Sequence, residues 1–188
     1  MPSIIDYPNV LRRLESEGLK CNYPNGGSFG FPTGAQVRGW LGPVDDTIRP
    51  EMRAHTRNVP EPFDANLAQW AWRAWRQLLP GSVWVMPASH WSFELTHGNQ
   101  RWLPGLLMKA GIDSALLIGR ADASVIEFLP PEEEAFHAFL GGLLNGLTGS
   151  DFTLAFPGRG VVCIVHHHKQ LWWVSMSQQT VMRLDGIE

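Results

Sequence analysis

The chain has 188 residues, enough for one well-buried domain and short for two at ~150 residues per domain. Charged residues are only 18% of it against about 25% in ordinary soluble domains, and a net charge of −3 with Lys and Arg spread along the chain excludes the footprint of a nucleic-acid binder. No apolar run approaches the ~20 residues that span a bilayer, no basic-then-apolar signal opens the chain, and two cysteines make no disulfide framework, so the composition points to the reducing cytoplasm.

Residues 8–17 form the first expected helix: Pro8 suits an opening turn, Val10, Leu11 and Leu14 share one side, and Gly18 ends it. From 21 to 62 the periodicity vanishes under repeated Gly and Pro. That stretch still carries Tyr23, Phe29, Phe31, Val37, Trp40, Leu41 and Ile48, too much apolar surface for a solvated linker. It reads as an ordered wrap over the sheet, with a short helix over 50–56.

Residues 64–79 have the best-defined helical pattern. A single polar stripe (Asn66, Gln69, Arg73, Arg76, Gln77) leaves most of the circumference apolar, with Trp70, Trp72 and Trp75 among it, and Pro80-Gly81 stops it. Strands are expected over 82–86 and 91–95, a turn over 97–100, and a short helix over 102–110. Residues 115–118 and 124–129 read as a hairpin. Pro130-Pro131 then opens a helix over 131–147, its first turn rich in Glu and its apolar stripe running from Phe136 to Leu147. Gly141, Gly142 and Gly146 on that helix imply close approach of something to its backbone, tight packing being the commoner reason.

The last quarter reads as a four-strand meander over 152–184. Residues 152–156 break at Pro157-Gly158-Arg159-Gly160, 161–165 form an unbroken β-branched run suited to mid-sheet, and 171–176 and 180–184 follow. The expected fold is therefore one α+β domain over 1–188: a mainly antiparallel sheet of six to eight strands, two principal helices packed on it, and the Gly/Pro-rich wrap.

The chemistry-bearing residues are scattered. His166-His167-His168 cannot all reach one ion from a regular strand, because adjacent side chains diverge, and a solvated corner is the expected state, with no metal. His90 and Glu94 lie ~13 Å apart along an extended strand, too far to share an ion. Cys163 sits in the most apolar run and reads as inert packing. Gly26-Gly27-Ser28-Phe29-Gly30 matches a phosphate loop in composition only, with no strand before it or helix behind it. Arg49, Arg53, His55 and Arg57 are the one local concentration of positive charge.

The first functional reading is a non-catalytic binding or interaction protein without a cofactor, which takes a protein partner or a small ligand, an anionic one among the candidates, self-association being one form of it. Its surface is expected around Arg49, Arg53, His55, Arg57, Phe29, Phe31 and Trp40, since nine Trp exceed the needs of one core. The alternative is an enzyme, a metal-dependent hydrolase for instance, with a site assembled from His90, Glu94, His97, His166 and His168.

Overall fold

The computed structural model describes residues 1–19, 36–38, 63–87, 102–118, 124–146, 152–166 and 170–187. The elements are β1 (Ser3–Asp6), α1 (Tyr7–Ser16), β2 (Gln36–Arg38), α2 (Phe63–Leu78), β3 (Val83–Pro87), α3 (Leu103–Lys109), α4 (Ser114–Ile118), β4 (Ser124–Phe128), α5 (Glu133–Gly146, entered through a 3-10 turn at Pro130–Glu132), β5 (Phe152–Phe156), β6 (Val161–His166), β7 (Gln170–Ser175) and α6 (Gln178–Asp185). The seven strands among the described residues form one sheet in the order β1-β4-β3-β5-β6-β7-β2, every neighbouring pair antiparallel. β4 and β5 both pair with β3, so they run parallel to each other. Such a pair needs a crossover, and α5 provides it. The architecture is α+β.

Strand alternation sends the two halves of the core to opposite faces. On one face Val85, Ile126, Phe128, Leu154, Phe156 and Cys163 meet α2, α3, α5 and α6. On the other, Trp84, Met86, Val125, Ala155, Val162 and Ile164 gather with Tyr7, Val10 and Leu14 of α1. All five residues of β5 are buried, as a strand covered on both faces requires. Edge-to-face rings tie the helical layer to the sheet: Trp75 and Phe136 lie 5.1 Å apart at 74°, and Phe128 and Phe136 5.5 Å apart at 67°. The Trp75 indole Nε1 donates to the Gly81 carbonyl at 2.8 Å, so its polar end is satisfied where the chain leaves α2.

The β5–β6 turn is anchored from both sides of the sheet. Gly158 and Gly160 sit at φ +77° and +59°, where a side chain is strained, and their amides donate to the Glu17 carboxylate at 2.7 and 3.0 Å. Arg13 Nε donates to the same carboxylate at 2.6 Å. Arg159, between the glycines, donates to the Leu78 and Leu79 carbonyls at 2.9 and 2.7 Å and so caps the end of α2.

Several expectations from the sequence are corrected. Residues 180–184 are not a fourth meander strand but part of α6, where Ser177 Oγ accepts from the Thr180 amide at 3.3 Å and Val181 and Leu184, three apart, are both buried. Residues 115–118 are not half of a hairpin: they belong to α4, opened by Asp113, whose Oδ1 accepts from the Ala115 amide at 2.9 Å. The stretch over 21–62 contains a strand, β2, which pairs Val37 with Val174 of β7, and β1 adds an N-terminal strand that the short Ser-Ile-Ile-Asp segment did not announce. Trp70 is only half-buried, whereas Trp75 is fully buried. The expected helix over 50–56 and strand over 91–95 lie outside the described residues.

Cys163 is fully buried, and burial pushes its thiol well above the ordinary range. In a Cys21→Ser variant, a bulky thiol reagent is expected to leave the native protein unmodified and to label it promptly in denaturant; fast native labelling would place Cys163 at the surface. The sign with pH follows from the raised value. This group's contribution is full below the unfolded thiol's about 8.5 and is lost as pH climbs from there toward the folded value, because only the unfolded chain then releases the proton readily.

Candidate functional site

Of the residues singled out in the sequence, Arg49, Arg53, His55, Arg57, Phe29, Phe31, Trp40, His90, Glu94, His97 and His168 lie outside the described residues. His166 ends β6, its Cα opposite that of Gln170, the first residue of β7. Among the described residues no three His, Cys, Asp or Glu side chains come together as metal ligands, and no helix is long and apolar enough to cross a membrane.

Besides the Glu17 cluster at the β5–β6 turn, two polar clusters among the described residues are defined by contacts. Glu127 on β4 accepts from Ser3 Oγ at 3.0 Å, Ser82 Oγ at 2.9 Å and Trp84 Nε1 at 2.9 Å. Its carboxylate thus ties β1, β4 and the start of β3 across the sheet, a structural use of all the donors it meets. The second lies where α2 meets α5: the Arg76 guanidinium sits 4.9 Å over the Trp72 ring, His137 approaches that ring at 5.7 Å, and Arg76 Nε reaches Glu133 at 3.5 Å. Stacking and a half-exposed ion pair account for the arrangement as a joint between the helices.

The glycines of α5 explain the third helix. A Cβ on Gly142 would strike the Leu106 side chain and one on Gly146 the Trp102 ring, so both are bare because α3 lies against them. Tight packing, the commoner of the two readings, holds there. Gly141 is different, for a Cβ there would meet nothing within 4 Å.

With Leu103 and Leu107 committed to the core, α3 turns Pro104, Gly105 and Met108 the other way. They line an open hollow of about 490 Å³ together with Gly111, Ile112, Asp113 and Ser114. Its size falls within the range of about 300 to 1,000 Å³ of small-molecule pockets, although it is open rather than enclosed. Met108, 73% exposed, is its most exposed large apolar side chain, and Leu116, 55% exposed, stands two residues past the lining Ser114. Asp113 is the one ionisable group in the lining. What the hollow can do is hold apolar matter; its thioether adapts to irregular shapes. Sequence reading missed it because Pro104 and Met108 repeat at the same spacing as Leu103 and Leu107, and the outward Met108 was the available signal.

No protein family, curated protein or solved structure matches the chain.

Proposed function

We propose that this protein is a non-catalytic binding or interaction module of the cytoplasm, and that the hollow between α3 and α4 is its recognition surface. The observation that carries the reading is the exposed Met108 on the wall of that hollow. A large flexible apolar side chain held in water gains by being covered, and beside a recess it can be covered by whatever enters. The lining around it is small: a Cβ on Gly105 would meet nothing within 4 Å, so its backbone is open to a close approach, whereas Gly111 is glycine for its φ of +78° and has the Met1 side chain against it.

Nile red, an uncharged fluorophore that brightens in apolar surroundings, tests this in dilute protein. Binding is expected for the native chain, with loss in Gly105→Trp, which places an indole where a Cβ now has open space, and in Met108→Glu, which puts a charge on the wall. Absence of brightening with the native chain, or full binding by Gly105→Trp, would overturn the reading.

A further inference from the structure

We infer that the occupant of the hollow is a second copy of this chain, docked across a two-fold axis that passes between Lys109 and Asp113; the inference rests on the reading of the hollow as a recognition surface. A two-fold interface places one patch against itself, so a projection must find a recess on the same patch, and a charge at its rim is best met by the opposite sign on that patch.

This patch carries all of them. Met108 is the projection: it lines the recess, stands 73% exposed, and can swing across the axis into the partner's recess. Lys109 ends α3 and Asp113 follows four positions later, after the turn at Gly111. Both side chains are exposed, and neither joins an ion pair among the described residues. Asp113 uses Oδ1 on the Ala115 amide, which leaves its charge available.

An axis between the two charges brings each Lys109 to the other copy's Asp113, giving a pair of reciprocal contacts at the rim of an apolar centre. Leu116, exposed on α4, extends the apolar part of the same α3–α4 unit. A contact confined to the α3–α4 unit suits a weak, reversible dimer rather than a permanent one.

Sedimentation equilibrium over a wide protein range tests the arrangement. The native chain is expected to associate reversibly to a dimer. Lys109→Glu and Asp113→Lys each weaken it by about tenfold, through like charges at the rim, and the double exchange restores it to within about threefold. Asp113→Asn keeps an oxygen for the Ala115 amide while removing the charge, so it weakens the dimer without uncapping α4; it serves if Asp113→Lys fails to fold. Met108→Glu abolishes association, and because the side chain is exposed the fold tolerates it. Nile red bound in dilute protein is displaced as the dimer forms.

A native chain that stays monomeric, a dimer indifferent to Met108→Glu, or folded single variants whose double exchange does not recover would each overturn the inference. The two readings fail separately. A monomer that binds Nile red and loses it in Gly105→Trp removes the second copy and keeps the hollow; a hollow that takes no Nile red in dilute protein removes both.

Discussion

Trp75→Ala is expected to lower the unfolding free energy by about 3 to 5 kcal/mol, the largest single loss among the side chains of α2. The indole is fully buried, meets Phe136 edge-on, and donates to the Gly81 carbonyl where the chain turns from α2 toward β3. Truncation leaves a cavity between the helical layer and the sheet, and it removes that carbonyl's indole donor, which adds to the transfer loss. Trp70→Ala, at a half-buried position on the same helix, is expected to cost only about 1 to 2 kcal/mol. Urea unfolding with unchanged slope measures both. Equal midpoints for the two variants would mean that the burial difference between the rings carries no weight.

The second large effect is a difference in sign along α5. Gly146→Ala is expected to destabilise by about 1 to 3 kcal/mol, because the added methyl overlaps the rigid Trp102 ring and α3 must shift to admit it. Gly141→Ala is expected to stabilise by about 0.5 to 1 kcal/mol, since the position lies inside the helix, has no positive φ, and offers open space. Gly142→Ala falls between: the Leu106 methyl that it meets ends a flexible side chain, so strain and helix propensity roughly offset. Thermal unfolding of the three variants decides it. Stabilisation by Gly146→Ala would mean that Trp102 does not sit where the structure puts it.

Local pattern carried far where one periodicity was unambiguous. The helix expected over 64–79 is observed at Phe63–Leu78 and that over 131–147 at Glu133–Gly146, because a polar stripe or a run of Phe and Leu at helical spacing admits one conformation. The unbroken β-branched run became β6, flanked on both sides in the sheet. Pattern misled where a segment was short: Thr180 to Leu184 alternates well enough for a strand, and only the Ser177 cap and the burial of Val181 with Leu184 make it a helix. The same holds for 115–118, where Asp113 opens a single turn.

The candidate site was the least legible part. Charge and aromatic content drew attention to Arg49, Arg53, His90, His97, His166 and His168, none of whose side chains is among those the structure describes, while the hollow is made mostly of Pro, Gly, Met and Ile, with Asp113 its one ionisable group.

What the sequence by itself determined is the α+β class, the two long helices, the central strands and the burial of Cys163, all consequences of spacing between near neighbours. Which apolar stripe of α3 faces inward, which glycines of α5 are bare for packing, and how β1 and β2 close the two edges of the sheet were decided only by tertiary structure. Those choices depend on contacts between segments far apart in the chain: Leu103 and Pro104 are equally apolar until α5 lies against one side, and a three-residue strand has no identity until β7 offers its hydrogen bonds.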